Sequence, residues 1–331
     1  MAALRFVKEV WSEKVERYRV GGYHTTHIGD THKEGRYKIL HKLGYGGFAT
    51  VWLARDTEAN RYVALKIIMA DERSNKLELK MFEYLANQHS DHPGKQHLVT
   101  LLDRFVIQGP YGKHNCLVLP FLGPSVSNQA SSYHSKMLDP CLARRVATQL
   151  SESLAYMHSV GIGHGDCHTR NIVFKLKGIE AWTEDDIYKI FGRPKCQVIE
   201  RNCPCQECID GPKYAVQQID MSRIDDKYIS NDIVLIDYGL SFSLDNPPSW
   251  LGTVTNYRAP EAVFDGQVSK ACDIWALGCI IYELFTGVDL FQHDKSIYRV
   301  LSRMVPILGL FPAKWWRWHS RSGISAPRSF P

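Results

Sequence analysis

The apolar residues of this chain change their spacing once, at Gly123-Pro124, and that change calls for a fold of two dissimilar halves. Ahead of it, short runs rich in β-branched and aromatic residues, 37–43, 50–54 and 61–68, alternate with turns, the glycine cluster and 56–60, and two more runs follow at 97–107 and 116–121. Such runs on short links predict an antiparallel sheet. One helix is expected among them over 75–88, where Leu77, Met81, Phe82 and Leu85 recur at the spacing of a single helix face. Beyond the break, Asp139-Pro140 is a helix start, an N-cap followed by a first-turn proline. Leu142, Val146, Leu150 and Leu154 then run down one face until Gly161 stops them. The expected class is α+β: an extension over 1–36, a sheet-rich lobe with one helix over 37–122, and a mainly helical lobe over 123–331. A polar insert, 175–231, with one helix-like piece at 183–191, interrupts the second lobe and reads as a surface excursion.

Composition excludes several classes. With 331 residues, 44% hydrophobic and 23% charged, the chain can bury a large core and is neither disordered nor fibrous. Its net charge of +5 is spread out, with no long run of Lys or Arg that would make a nucleic-acid arm. Nine cysteines behind a charged start that has no apolar leader imply reduced thiols inside the cell. The most apolar stretch, 274–290, is broken by Glu283 and Asp289 and falls short of the ~20 residues that span a bilayer. It reads as a buried helix, and no membrane partner is expected.

A series of short motifs carries chemistry. Gly44-Tyr45-Gly46-Gly47-Phe48-Ala49-Thr50-Val51 puts side-chain-free residues between two strands, where backbone N–H groups can close over phosphate oxygens. By itself such a hairpin is more often a plain turn. Val63-Ala64-Leu65-Lys66 ends an apolar strand on a lysine, and a buried ammonium needs an anion. Glu78 shares the helix face of Met81, Phe82 and Leu85 and is the best partner, although Asn75 with Glu78 also makes a capping box. In His164-Gly165-Asp166-Cys167-His168-Thr169-Arg170-Asn171, Asp166 suits a base that accepts a hydroxyl proton, and Asn171 offers a carboxamide oxygen to Mg2+. A solvated turn is the plain alternative. Ile233-Val234-Leu235-Ile236 then delivers Asp237-Tyr238-Gly239, with Asp237 placed to hold Mg2+ against triphosphate oxygens. None of these is specific alone, but their order and spacing are those of phosphoryl transfer from ATP to a hydroxyl.

Two later motifs stand in register with them: Arg258-Ala259-Pro260-Glu261, closing an activation segment, and Asp273-Ile274-Trp275-Ala276-Leu277-Gly278, opening a helix. In protein kinases the residue at Asp273 bonds the catalytic-loop backbone; a helix N-cap is the other use of an aspartate there. Gly21-Gly22-Tyr23-His24, Ile28-Gly29-Asp30, Gly35-Arg36-Tyr37, Lys42-Leu43-Gly44-Tyr45-Gly46 and Thr50-Val51-Trp52-Leu53-Ala54-Arg55-Asp56 resemble the SR-protein kinase family, its fungal members above all. The resemblance runs from about Gly22 to about Trp318, and 175–231 lies where that family carries a spacer. It implies a bilobal protein-kinase fold and a serine/threonine kinase that uses ATP and Mg2+. It also implies protein substrates with Arg/Ser-rich or basic segments, regulation of RNA splicing factors, a cytoplasmic and nuclear location, and a monomer without direct nucleic-acid contact. By the same match Leu43, Gly44, Tyr45, Gly46, Gly47, Phe48, Val51 and Ala64 enclose the nucleotide, and Lys66, supported by Glu78, holds its α/β-phosphates. Leu119, Pro120 and Leu122 line the adenine hinge, Asp166 is the catalytic base, and Asn171 and Asp237 are the metal ligands.

The match also has departures. Gly165 replaces an arginine that reads a phosphorylated activation loop, which implies activity without that phosphate. His168 stands where a lysine is usual, with Arg170 as the substitute cation, as in tyrosine kinases. Resemblance fades after Trp315-Trp316-Arg317-Trp318, so the last helices of the domain are expected to be missing, together with the arginine that pairs with a buried Glu261. Breaking such a pair costs roughly 3–5 kcal/mol. These departures keep a second reading open, an ATP-binding pseudokinase or scaffold, against which the retained Lys66, Glu78, Asp166, Asn171 and Asp237 speak. Cys196 with Cys203-x-Cys205-x-x-Cys208 has thiols enough for zinc but no second paired knuckle, and free surface cysteines are the simpler reading. His24, His27, His32 and His41 show no ligand spacing.

Overall fold

The computed structural model describes residues 4–6, 12–71, 74–133, 137–201 and 210–315. Its contacts divide the chain into two compact units, the first built from 1–89, 99–124 and 174–230, the second from 90–98, 125–173 and 231–331.

The first unit centres on a six-stranded antiparallel sheet. Its order is β2 (Thr31–His32), β3 (Tyr37–Tyr45), β4 (Ala49–Asp56), β5 (Arg61–Ile68), β7 (Gly112–Pro120), β6 (Asp103–Gly109). Strand alternation sorts its side chains. Tyr37, Ile39, Trp52, Ala54, Val63 and Leu65 bury one face together. On the other face Val51, Lys66 and Leu117 are direct cross-strand neighbours, and the next row is Leu53, Ala64 and Leu119. Helix α1 (Ser74–Ala86) buries Met81, Phe82 and Leu85 as their spacing predicts, but Leu77, expected on the same face, is exposed. The turn expected at 56–60 closes the β4–β5 hairpin. There Asn60 takes φ 50°, and the buried Asp56 carboxylate accepts Ala59 N at 3.2 Å and Arg36 at 2.9 and 3.0 Å. An aspartate that can bond the backbone just ahead of it favours a turn over a strand.

The insert belongs to this unit and not to the second lobe, and it is more than a surface excursion. Strand β11 (Tyr214–Val216) lays Val216 and Tyr214 on the sheet core and pairs with β10 (Cys196–Arg201), which pairs with β1 (Leu4–Phe6). Helix α4 (Glu184–Phe191) opens on a capping box of Thr183 and Asp186, with Trp182, Ile187 and Phe191 buried. Intervening polar residues hid these few apolar anchors. The extension contributes Val15, Tyr18 and Tyr23 to a second core cluster with Tyr111, Ile199 and Ala215.

The second unit is mainly helical: α2 (Val126–Ser132), α3 (Pro140–Ser159), α5 (Pro260–Phe264), α6 (Lys270–Thr286) and α7 (Ile297–Leu308). Short strands β8 (Ile162–Gly163) and β13 (Phe242–Ser243) pair, as do β9 (Ile172–Leu176) and β12 (Ile229–Leu235), and the unit boundary runs through the latter two. Asp139 caps α3 by accepting Cys141 N and Leu142 N at 2.9 and 3.3 Å, and Val146, Leu150 and Leu154 are buried. The strand expected from 97 starts only at Asp103, because 93–97 is a 3-10 turn begun by Pro93. Helix α6 buries Cys272, Ala276, Cys279, Ile280 and Leu284 but leaves Ile274, Tyr282 and Phe285 exposed, so it is one-sided where the sequence suggested full burial. Among the described residues no helix is long and apolar enough to cross a membrane. Glu261 is half-buried, at the wall of an apolar cavity of about 920 Å³, so the penalty expected of a fully buried carboxylate does not apply to it. Cys203, Cys205 and Cys208 lie outside the described residues, and Cys196 is an exposed free thiol.

Candidate functional site

In the first unit, Lys66 leaves β5 on the face it shares with Val51, Ala64 and Leu119. Its ammonium is 2.7 Å from each Glu78 carboxylate oxygen, and the two side chains are 15% and 6% exposed. Burial of Met81, Phe82 and Leu85 sets the phase of α1 and so aims Glu78 at the sheet. The glycine cluster forms the β3–β4 hairpin, where the register shifts between Lys42 and Gly44 and Gly44 then pairs with Val51. That irregularity twists the strand locally. Tyr45 and Phe48 are exposed on the hairpin, and Leu43 and Val51 are half-buried. Leu119, Pro120 and Leu122, at and beyond the end of β7, are also half-buried, with Leu119 opposite Ala64.

In the second unit, Asp166, Asn171 and Asp237 come together through backbone lacing. Asn171 Nδ2 donates to Asp166 O at 3.0 Å, which turns its carboxamide oxygen the other way, and Ile236 N donates to Asn171 O at 2.9 Å. Asp166 Oδ1 is buried without a hydrogen-bond partner, while Oδ2 lies 3.5 Å from Asn171 Nδ2 and 3.7 Å from His168 Nε2. Asp237 adopts φ 70°, a conformation that L side chains rarely take and that concentrates at functional sites. Two hard oxygen donors, the Asp237 carboxylate and the Asn171 carboxamide, beside an orphaned carboxylate oxygen, fit a magnesium-type ion. Arg170 is exposed.

Asp273 fixes this loop. Its carboxylate accepts His164 N at 2.8 Å and Gly165 N at 2.9 Å and contacts His158 Nε2 at 2.9 Å, with 1% exposure. The cap of α6 is Ser269, so of the two roles open to Asp273 the structure selects the loop contact. Gly165 has φ 77°, and a Cβ there would meet Leu240 O at 2.5 Å, which leaves no room for an arginine. The segment that follows is tied to the loop by neutral bonds, Ser241 Oγ to His164 O at 3.1 Å and Thr253 Oγ1 to Gly165 O at 2.5 Å. Arg258 donates to Thr253 O.

Sequence reading gave no role to Thr169, Tyr257 or Glu283. Glu283 accepts from Thr169 Oγ1 at 3.0 Å and from the Tyr257 hydroxyl. Burial raises its carboxyl above the ordinary value, against the lowering effect of these two bonds. These residues sit far apart along the chain, and no local spacing announces their meeting.

The protein kinase domain family matches residues 37–190 and 224–324. Protein kinase dsk1 of Schizosaccharomyces pombe is 36% identical over 88% of this chain and 70% of its own length. Serine/threonine-protein kinase SRPK of Physarum polycephalum is 29% identical over 91% of this chain and 73% of its own. Serine/threonine-protein kinase SKY1 of Saccharomyces cerevisiae is 33% identical over 51% of this chain and 24% of its own.

Proposed function

Because the chain belongs to the protein kinase family, on its SR-protein kinase branch, we propose that it moves the γ-phosphoryl group of ATP to serines in Arg/Ser-rich or basic protein segments, splicing factors among them. Cytoplasmic and nuclear location and action as a monomer go with that reading. The observation that carries it is the buried Asp166 oxygen without a partner, next to an asparagine whose amide nitrogen is tied down.

Asp166 is the base. Its free oxygen takes the proton of the serine hydroxyl as the serine oxygen attacks the γ-phosphorus and the bond to the β-phosphate oxygen breaks, releasing ADP. Asn171 and His168, at 3.5 and 3.7 Å, flank the other carboxylate oxygen and orient it. Asn171 and Asp237 would hold the metal, which we take to be Mg2+. Bound there, it neutralises charge on the phosphate oxygens. Lys66, steered by Glu78, binds the α/β-phosphates; Leu43, Val51, Ala64 and Leu119 supply apolar surface for the base, with Pro120 and Leu122 beside them. Arg170, exposed at the loop, is the cation offered to the substrate side. Since Ser241, Thr253 and Asp273 order the loop without a phosphate, the enzyme is active without activation-loop phosphorylation.

The test is ³²P transfer from MgATP to an Arg-Ser repeat peptide by the chain and by Asp166→Ala, with ATP-induced thermal shifts on both. Loss of the base should lower turnover by about 10²–10⁴-fold and leave the shift in place. A wild-type chain that is stabilised by ATP but transfers nothing would be a pseudokinase, and this reading would fail.

A further inference from the structure

The glycine hairpin has few side chains of its own to hold it, yet two of its carbonyls are bonded by side chains from the stretch 12–23. The Tyr23 hydroxyl donates to Gly46 O at 2.5 Å, and the Arg17 guanidinium donates to Gly47 O. Arg17 also lies over the Tyr23 ring at 5.8 Å from its centroid. In a trans peptide the C=O and the following N–H point opposite ways. Fixing Gly46 O therefore turns the Gly47 N–H away from the stretch, and fixing Gly47 O turns the Phe48 N–H likewise.

The mount behind these donors is buried. Tyr23, 2% exposed, stands edge-on to Tyr18 with ring centroids 5.6 Å apart. The Tyr18 hydroxyl donates to Glu13, and Glu13 pairs with Lys42, the two charged side chains being 1% and 0% exposed. Lys42 lies on β3 immediately before the hairpin. Burial raises the Glu13 carboxyl, but the Lys42 charge and the bonds from Lys42, Tyr18 and Ser12 outweigh it and hold the group below its ordinary value, as an anion. Burial likewise raises the Tyr23 phenol, so its hydroxyl keeps the proton it donates. Gly22 makes the turn possible: a Cβ there would meet Arg17 O at 1.8 Å and Arg19 O at 2.8 Å.

We propose that residues 13–23 are a built-in brace of the lid, in which Tyr23 and Arg17 are positioning residues that present the Gly47 and Phe48 amides to the nucleotide phosphates. The proposal rests on the ATP reading given above. An unbraced glycine hairpin samples many backbone states, and restricting them beforehand lowers the entropy cost of closing on a ligand. Neither residue touches the nucleotide in this scheme; each acts through a carbonyl.

Tyr23→Phe keeps the ring and removes only the donor; Arg17→Leu removes the second. In the full chain, hydrogen exchange of the free protein reads the brace, and steady-state kinetics with MgATP and an Arg-Ser peptide read its consequence. In the double variant the Gly46 and Met69 amides, which the hairpin closes on Ala49 O and Phe48 O, should exchange about tenfold faster and KM for ATP should rise about tenfold, the factor two modest net hydrogen bonds account for. KM for the peptide should not move, whereas a general loss of structure would raise both. Exchange and KM for ATP that stay at wild-type values, in a chain that ATP does stabilise, would overturn the brace alone. A wild-type chain that ATP does not stabilise would overturn the ATP reading and the brace with it.

Discussion

Single residues in this molecule are held in costly states where they serve the site and in neutral states where they serve the core. Asp237 is of the first kind, kept at φ 70° by Ile236 on one side and Gly239 on the other, Gly239 N lying 3.4 Å from its carboxylate. His24 is of the second. It is 8% exposed, edge-on to His114 at 4.9 Å, and burial, reinforced by the neighbouring histidines, pushes its value from 6.5 down to about 3. Its native value lies below its unfolded one, so between pH 6.5 and about 3 the unfolded chain binds the proton more readily. The stability is complete above pH 6.5 and falls as pH drops through that window, by about 1.4 kcal/mol per pH unit for the one group. Urea midpoints taken from pH 6.5 to 5 should fall, with the buried His41 and His114, also held below their ordinary values, adding to the slope, and His24→Gln should remove its own share of about 1.4 kcal/mol per pH unit; an unchanged slope would contradict the assignment. The sequence showed His24 only as a histidine without ligand spacing, on the surface or in the core, and the pairing that depresses it was not legible, because His24 and His114 are remote in sequence.

At the scale of elements, ends are set by local chemistry and faces by what packs on them. Asp139-Pro140 started α3 where the sequence said, since an N-cap needs only its own next three residues. Asp139→Ala should therefore cost about 1 kcal/mol in an unfolding titration and leave turnover unchanged. A loss of turnover without loss of stability would mean that the cap reports on the catalytic loop as well. Strand alternation made β3, β4 and β5 readable for a similar reason. It failed in the insert, where β11 contributes only Tyr214 and Val216 to a core assembled from distant strands.

For the whole molecule, ligand binding is a stability measurement. MgATP at a hundredfold excess over its Kd should stabilise the chain by about 2.7 kcal/mol. Chelating the metal with EDTA should remove much of the accompanying thermal shift, because Asn171 and Asp237 then have only phosphate oxygens before them. Shifts that are equal with and without metal would count against those two residues as its ligands.

What the sequence determined by itself was everything whose physics is local: the change from strand to helix at Gly123-Pro124, the caps, and the order of lid, lysine, base and metal aspartate. Only the tertiary structure decided that Asp273 grips a loop more than a hundred residues away, that the insert covers the sheet, and that Arg17 and Tyr23 hold the glycine lid. Those contacts depend on long segments closing back on one another, and the free energy that makes them close is spread over whole cores and leaves no mark on the spacing of any few residues.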